Sequence, residues 1–438
     1  MKKQLSMLAA TVAATLGASS AFAISPLGPF NVTLTVSGSS AFQLAFESEL
    51  SSTTSSICNN TAGLTYNKFQ SNTNDFRAYT CTLKAGVVSV GGGEAAAIYY
   101  RGEGGSVTGL KPTLTTGPQI KRLLLSNCPV PAGGSTTTNT CTITGYNAVT
   151  DAVTSGLENA ATELGFSDEE PAVFTGENYP TAATFSFLQP AMTSTERNTL
   201  NGAASPVIGQ AFGVYVNSGA ALTGLTSLSK NTLANIFKGT YDDWQFVPND
   251  ATGTPVSASS LPIKLCRREG GSGTQTAASL FFNATVGFAS TAQPGNLPTV
   301  QENASSGSMR TCIDGNAGAI GYLSSEANAG TRRQIQIDGK GGVAGNNLGP
   351  LIATGEYDFW YEMVAIKRPG LVNPTLALAN KLISVTQLQA SGPTTPNVAF
   401  LSPFNSAQYP LAAPPAGKQP ISCVRRNKDS KSIAFWQC

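Results

Sequence analysis

Short strand-like segments alternate with glycine- and serine-rich turns along most of this chain, and helical patterns follow several of the turns. This alternation favours an α/β fold, and we expect mainly parallel sheets. A serine at position 229 is suited to cap the helix predicted over 229–239. The strand-like segments are NVTLTVSGSS (31–40), EAAAIYYRGEGGSV (94–107), AFGVYVNSG (211–219), LPIKLCRREGGSGTQ (261–275) and GAIGYLSS (318–325).

The N-terminus has the pattern of a secretory signal peptide. Two lysines at positions 2 and 3 precede an apolar run over 7–16, and Ala-Phe-Ala at 21–23 matches a small-residue cleavage site. We therefore expect residues 1–23 to be removed and the mature protein to be periplasmic or secreted. No cysteine lies near the cleavage site, so we expect no lipid anchor. No later segment approaches the roughly 18 uninterrupted apolar residues that a membrane span requires, so we expect a chain that does not span the membrane.

Composition excludes several classes of function. Charged residues make up 12% of the chain and its net charge is +2, which gives no reason to expect a nucleic acid or an acidic membrane as partner. Histidine is absent, so catalysis by a Ser-His-Asp or Cys-His pair is excluded and a metal site is not expected. An enzyme with a serine or threonine nucleophile stays open, but we expect no catalytic residues and no cofactor.

Eight cysteines in an exported chain predict four disulfides. Their order does not fix the connectivity, but neighbouring cysteines suggest the pairs. Between about 109 and 160 the strand and helix pattern loosens, and NCPVPAGGSTTTNTC (127–141) predicts a disulfide-stapled insertion at the surface. The suggested pairs are Cys58–Cys81, Cys128–Cys141, Cys266–Cys312 and Cys423–Cys438.

Three hydroxyl-bearing turns follow strands and begin probable helices: Gly38-Ser39-Ser40, Gly104-Gly105-Ser106 and Gly271-Ser272-Gly273-Thr274. The start of a helix carries unpaired N–H groups and a partial positive charge, so such turns are suited to bind anions. Arg268 lies four residues before the third serine, and its guanidinium could reach the same anion. The alternative is that the turns are only turns and that Arg268 forms a surface or interface ion pair.

The segment CRREGGSGTQ (266–275) resembles the Arg-x-x-Gly-Ser-Gly-Thr loop of the PstS-type phosphate-binding proteins of phosphate ABC transporters. Further segments are similar to landmarks of that family and occur in the family's order. Six landmarks in order are far more specific than any one of them. The further segments are VSGSSAF (36–42), YYRGEGGSV (99–107), ELGFSDEEP (163–171), NTLANIFKGTYDDW (231–244), GAIGYLSSE (318–326) and, more faintly, YDFWYEMVAI (357–366).

The resemblance implies a set of phosphate ligands from both halves of the chain. Asp168 falls on the family's phosphate-contacting aspartate and Arg268 on its arginine, with Arg267 as a weaker candidate. Glu177 and Asn178 in FTGENYP (174–180) compete with Asp168 for the acidic role, because about sixty residues separate Asp168 from the second loop. The implied ligands are Ser40, the Ala41 N–H, Ser106, Asp168, Arg268, Ser272, Gly273 and Thr274.

Two positions depart from the family's pattern. Phe42 falls one place later than the family's usual aromatic residue. Gly270 stands where the family often has an aspartate beside the arginine loop. Glu269 could replace that aspartate electrostatically, but we expect it to face solvent.

The resemblance also implies the architecture and the function. It predicts a two-lobed periplasmic-binding-protein fold of type II with a hinge, in which lobe one comprises 24–207 and 346–438 and lobe two comprises 208–345. It implies a monomeric solute-binding protein that captures inorganic phosphate for an ABC transporter permease. The alternatives are a binding protein for another oxyanion or a small phosphorylated compound, and a secreted or cell-surface structural protein that retains the fold.

Overall fold

The computed structural model describes residues 27–130 and 138–389, with gaps at 44–45, 48–49, 51–56, 60–65, 74, 283–297, 326–329, 342–347, 349–350 and 352–355. It also describes short pieces at 400–401, 424–426 and 433–435. The predicted signal peptide (1–23) and the predicted Cys423–Cys438 disulfide lie outside the described residues.

The predicted alternation of strands and helices is present in the structure, and the α/β class is confirmed. The strands are β1 Val32–Gly38, β2 Asn67–Ser71, β3 Phe76–Thr82, β4 Ala95–Arg101, β5 Ile120–Leu123, β6 Thr138–Cys141, β7 Leu157–Ala160, β8 Leu164–Ser167, β9 Ser205–Asn217, β10 Ser227–Leu228, β11 Lys264–Arg268, β12 Thr299–Asn303, β13 Ala319–Ser324, β14 Arg332–Ile337, β15 Trp360–Lys367, β16 Phe400–Leu401, β17 Val424–Arg426 and β18 Ile433–Phe435. The helices described over their full length are α1 Gly105–Thr108, α2 Ser194–Ala203, α3 Lys230–Phe237, α4 Gly273–Phe281, α5 Ser306–Gly315 and α6 Thr375–Gln389. Ser229 caps α3 as predicted, since its side chain accepts a hydrogen bond from the Thr232 N–H.

One long strand joins the two parts of the main sheet. The strand order is β12-β11-β13-β9-β15-β8-β1-β4-β3-β2-β6. The first half of β9 pairs with β15 (Ser205–Ala211 against Trp360–Ala365), and its second half pairs with β13 (Phe212–Val216 against Ile320–Ser324). The expectation of mainly parallel sheets is wrong, because antiparallel pairings outnumber parallel ones among the described strands. In the main sheet, the antiparallel pairs come from the β2–β3–β4 meander and from the pairings of β9 and β15.

Separate hydrophobic cores lie on either side of the β9–β15 crossing. One core draws only on residues between 211 and 361, and it contains the fully buried Trp244 and Tyr322. A second core draws on residues 32–100, 164–166, 207 and 363–385. Burying one large apolar side chain contributes roughly 1.5–3 kcal/mol, so each core contains enough such residues to stabilise its own part of the chain. The lobe boundaries at 207 and 346 stay a prediction.

Three of the four predicted disulfides are present: Cys58–Cys81, Cys128–Cys141 and Cys266–Cys312. The third joins β11, which ends at Arg268, to α5. The predicted insertion at 109–160 is only partly a surface excursion. Its strands β5 and β7 form a small antiparallel sheet of their own, but β6 pairs parallel to β2 and extends the edge of the main sheet.

The parallel strands bring three loops together. Strand β1 pairs in parallel with β4 on one side and with β8 on the other, so the loops after all three strands leave the same edge of the sheet. Ligand sites in α/β sheets form outside the carboxyl ends of such strands. Among the described residues, no helix is long and apolar enough to span a membrane.

Candidate functional site

Asp168, directly after β8, lies at the meeting point of four segments. Its carboxylate accepts hydrogen bonds from the Ser39 hydroxyl and from the Thr274 hydroxyl, the latter at 3.4 Å. Its backbone N–H donates to the Ser106 Oγ at 3.0 Å. The loops after β1, β4 and β8 and the start of α4 therefore meet around one acidic side chain, which is 2% exposed.

The start of α4 packs directly against these loops. Ser272 caps the helix, and its Oγ accepts from the Gln275 N–H at 3.3 Å. A Cβ added at Gly273 would lie 2.3 Å from the Ser106 Oγ and 2.9 Å from an Asp168 oxygen. No side chain fits in that space, so glycine is required there by close approach. The helix start and its N–H groups thus lie against Asp168 and Ser106.

Arg268 is the positively charged group of the site, and its hydrogen-bond partners are neutral. Its Nε donates to the Asn303 carbonyl and its Nη2 to the Ala304 carbonyl, both at 2.9 Å. Its Nη1 faces two hydroxyls, those of Ser40 at 3.3 Å and Ser306 at 3.4 Å. The side chain is 1% exposed. No carboxylate of the described residues lies within 4 Å of the guanidinium, so a buried positive charge is left without a negative partner in contact.

The neighbouring Arg267 has a different environment. Its Nε lies 3.8 Å from a Glu302 oxygen and donates to the Arg268 carbonyl at 3.3 Å. Arg267 is buried on strand β11, where it stands opposite Glu302 of β12. The two arginines are therefore distinguished by their partners and not by their exposure.

The structure explains why glycine stands at position 270. A Cβ there would lie 2.8 Å from the Tyr179 carbonyl and 2.9 Å from the Glu177 carbonyl, so the backbone of 177–179 occupies the space that an aspartate side chain would need. Glu269 does not simply face solvent as expected. It is half-buried, and burial raises the pKa of its carboxyl to about 7 against the opposing effect of Arg268. Of the two residues that compete with Asp168, Glu177 has an exposed side chain and Asn178 is half-buried.

Residues that the sequence did not single out complete the site. Ser39, one position before the predicted Ser40, is the serine that donates to Asp168, and its Oγ also accepts from the Phe42 N–H at 3.1 Å. Ser40 contacts Arg268 instead, and Ala41 is buried beside it. Ser306, at the start of α5, is the other missed hydroxyl. The signals were present, because Ser39 belongs to a turn already noted and Ser305-x-x-Ser308 has the spacing of a capping box.

The insertion contacts the loop that leads to Ser106. At the end of β4, the guanidinium of Arg101 donates to Asp151 at 2.8 Å and to the Tyr146 hydroxyl at 3.0 Å, both on the insertion. It also pairs with Glu103 at 3.2 Å, in the turn before α1. Arg101 is fully buried. The insertion is thus anchored three to five residues before Ser106.

Burial changes the protonation of Asp168. Removal from water raises the pKa of this carboxyl to about 6, while the Ser39, Thr274 and Ser106 hydrogen bonds and the Arg268 charge oppose the rise. The group is therefore mostly ionised at pH 7.5 and able to accept a proton. A single cluster thus contains a proton acceptor, several hydroxyl donors, a helix start and a buried guanidinium.

The model of the PBP superfamily domain matches residues 134–377, more than half of the sequence. The chain belongs to the PBP superfamily. The predicted periplasmic-binding-protein fold is thereby confirmed at the level of the superfamily. The match includes Asp168, Arg268 and all of α4. It does not include Ser39 and Ser106, which precede residue 134.

Solved structures similar to this PBP-superfamily chain include three bacterial proteins. A substrate-binding protein of Clostridium perfringens, solved with bound phosphate, is 14% identical with a TM-score of 0.42, covering 81% of this chain and 98% of that one. A phosphate-binding protein of Stenotrophomonas maltophilia is 12% identical with a TM-score of 0.43, covering 84% and 86%. An ABC-type phosphate transport receptor of Vibrio cholerae is 14% identical with a TM-score of 0.34, covering 55% and 80%. No curated protein matches the sequence.

Proposed function

We propose that this protein captures inorganic phosphate between two lobes and delivers it to an ABC transporter. The observation that carries this proposal is the buried Arg268, whose charge has no carboxylate in contact among the described residues, beside a cluster of hydroxyls and a helix start. The resemblance of CRREGGSGTQ to the phosphate loop of PstS-type proteins points to the same ligand.

An anion completes the interactions of Arg268. A buried charge is costly unless it is paired and hydrogen-bonded, and carbonyls and hydroxyls supply only the hydrogen bonds. The Nη1 group faces Ser40 and Ser306 at 3.3 and 3.4 Å, long for charge-assisted hydrogen bonds. A phosphate oxygen is a better acceptor for this group than either hydroxyl.

Asp168 selects for a protonated oxyanion. A carboxylate repels an anion unless it accepts a proton from it, and phosphate at neutral pH retains a proton that sulfate lacks. A buried acceptor left facing a sulfate oxygen costs on the order of 1–3 kcal/mol, and more for charged groups. The hydroxyls of Ser39, Ser106 and Thr274 hold the Asp168 backbone and carboxylate in place for this role.

The proposed lobes supply the ligands from opposite sides. Ser39, Ser106 and Asp168 belong to the proposed lobe one (24–207 and 346–438), and Arg268 with the Ser272–Thr274 helix start belongs to the proposed lobe two (208–345). Strands β9 and β15, which run between the two cores, are the proposed hinge. Phosphate bridges the lobes, so that binding and closure are one event.

We propose that the protein is exported and works with a membrane permease. The signal-peptide pattern at 1–23 supports export to the periplasm or beyond it. The partner is an ABC transporter permease, and the protein acts as a monomer that binds its ligand and does not turn it over. It needs neither a metal nor a cofactor.

Calorimetric titration of the mature protein (24–438) with phosphate, arsenate and sulfate tests the proposal. We expect one phosphate per chain, arsenate as a competitor because it is also protonated at neutral pH, and no heat from sulfate. Absence of phosphate binding in a folded sample contradicts the proposed function. Equal affinity for sulfate contradicts the role given to Asp168.

A further inference from the structure

A polar cavity adjoins the Arg268 end of the site. It has a volume of about 560 Å³ and is lined by Ser40 and Ser306, the same two hydroxyls that face Arg268 Nη1. Pockets for small organic ligands have volumes of roughly 300–1,000 Å³. One water molecule fills about 30 Å³, so this cavity is far larger than a four-oxygen anion needs.

The cavity contains an unused hydrogen-bond donor. Gln43, five residues after the end of β1, lines the cavity and is 9% exposed. Its Nε2 is buried and has no hydrogen-bond partner among the described residues. A buried amide without a partner costs free energy, and native structures keep few such groups unless a ligand or water satisfies them. This amide therefore points to a ligand with an acceptor in the cavity.

The opposite wall is the start of α5. Ser305 caps this ten-residue helix, and Ser305, Ser306 and Arg310 line the cavity. The first turn of a helix offers N–H groups to an acceptor. Asp75 faces them from the β2–β3 side and offers carboxylate oxygens to a hydroxyl donor. Donors and acceptors are thus present on both walls.

The chemistry of the lining selects the kind of ligand. Apart from Ala304 and Gly307, the described residues that line the cavity have polar side chains, so an apolar group would gain little from burial there. A group with several hydroxyls can donate to Asp75 and accept from Gln43 at the same time. The Ser40 and Ser306 hydroxyls, 3.3 Å apart, line the cavity and also face Arg268 Nη1, so a ligand that displaces their mutual contact can place such a group in the cavity and its anion on Arg268.

We propose that the cleft also takes small phosphate monoesters of hydroxylated compounds, with the phosphate on Arg268 and the hydroxyls between Gln43, Asp75 and the start of α5. This inference rests on the proposed function, because it uses the same phosphate clamp, formed by Arg268, Asp168 and the start of α4. It adds a second part of the site, the cavity, which inorganic phosphate does not use.

Three ligands distinguish binding at Arg268 from binding in the cavity: inorganic phosphate, methyl phosphate and glycerol 3-phosphate. Methyl phosphate is a monoester with no hydroxyl to place in the cavity. We expect calorimetry to give glycerol 3-phosphate an affinity about tenfold or more above that of methyl phosphate, as one or two added hydrogen bonds provide. Equal affinity for the two esters, or binding of inorganic phosphate alone, overturns the inference and leaves the proposed function intact. Failure of all three ligands to bind a folded sample overturns both.

Substitutions of cavity residues test whether the cavity causes the preference for glycerol 3-phosphate over methyl phosphate. Gln43→Leu keeps the shape of the side chain and removes the amide, so it should abolish the preference for glycerol 3-phosphate while inorganic phosphate binds as before. Asp75→Ala, which removes the acceptor from the cavity, is a second test should Gln43→Leu fail to fold. Gln245→Leu, at a half-exposed position far along the chain, is the matched control and should keep the preference. A preference that survives in both folded cavity variants contradicts the assignment.

Discussion

Gly273 and Ser106 approach so closely that a methyl group at position 273 would lie 2.3 Å from the serine Oγ. The two residues are on α4 and α1, which come from opposite sides of the β9–β15 crossing. The Val107 N–H donates to the Gly271 carbonyl at 3.0 Å across the same contact. This approach brings the start of α4 against Asp168.

The first prediction follows from that contact. Gly273→Ala should weaken phosphate binding by roughly 1–3 kcal/mol, because the added methyl group overpacks the closed cleft. Gly202→Ala is the matched control on the exposed part of α2, where an added Cβ meets nothing within 4 Å. It should leave binding unchanged and raise stability by up to about 1 kcal/mol. Calorimetry and thermal unfolding of both variants make the comparison, and unchanged binding in Gly273→Ala contradicts the closed geometry.

The second prediction separates the two arginines. Arg268→Met should lose about 2–5 kcal/mol of phosphate binding, by analogy with buried charge pairs. The ligand-free variant should be as stable as the wild type or more so, because a buried charge without a negative partner is removed. Arg267→Met should keep phosphate binding and change stability by less than about 1 kcal/mol, because its partner Glu302 is 40% exposed and remains solvated. Equal losses of binding in both variants would mean that the clamp is assigned to the wrong guanidinium.

The third prediction concerns selectivity. Asp168→Asn should weaken phosphate binding and admit sulfate, because an amide does not repel a fully deprotonated anion and its NH₂ can donate to it. Competition titrations of the wild type and the variant with both anions give the answer. Should the variant keep wild-type affinity and still exclude sulfate, Asp168 is not the proton acceptor.

The fourth prediction is a pH dependence of the ligand-free protein. Burial raises the pKa of Asp168 and of Asp75 to about 6 from 3.8. Because the folded-state pKa lies above the unfolded one, their stabilising contribution is complete below about pH 4 and is lost as pH rises through 6. The free energy of unfolding should therefore be higher at pH 5 than at pH 7.5, by about 1 kcal/mol for each group. Urea unfolding of Asp168→Asn should show a shallower dependence, and a wild type that is more stable at pH 7.5 contradicts the assignment.

The sequence predicted the elements that local chemistry determines. Strand-to-turn patterns located β1, β4, β11 and β13, and neighbouring cysteines indicated three disulfides that the structure contains. The Gly-Ser-Gly-Thr segment begins a helix because Ser272 caps it and the glycine after it has no Cβ to obstruct the packing. The strand ends and the Ser272 cap depend on residues adjacent in the chain, and the disulfides join cysteines that are neighbours in the order of cysteines.

Features that depend on distant residues were not predictable. The partners of Arg268 are the carbonyls of Asn303 and Ala304, and any sequence supplies carbonyls, so no side-chain pattern marks them. The burial of Arg267 follows from the pairing of β11 with β12, which hydrophobic alternation does not specify. Ser39 and Ser40 are equivalent in sequence, and only the path of the backbone after β1 turns the first toward Asp168.

The most direct test of phosphate binding at Arg268 and Asp168 is a crystal structure of the mature protein with arsenate, which is located by its anomalous scattering. Arsenate has the shape and the proton of phosphate, and its arsenic atom marks the position without ambiguity. We expect one peak per chain, with ligand oxygens in hydrogen-bond contact with Arg268 Nη1, the Asp168 carboxyl group and the Gly273 N–H. A peak outside this cluster, or none in a crystal grown in excess arsenate, would contradict the phosphate clamp.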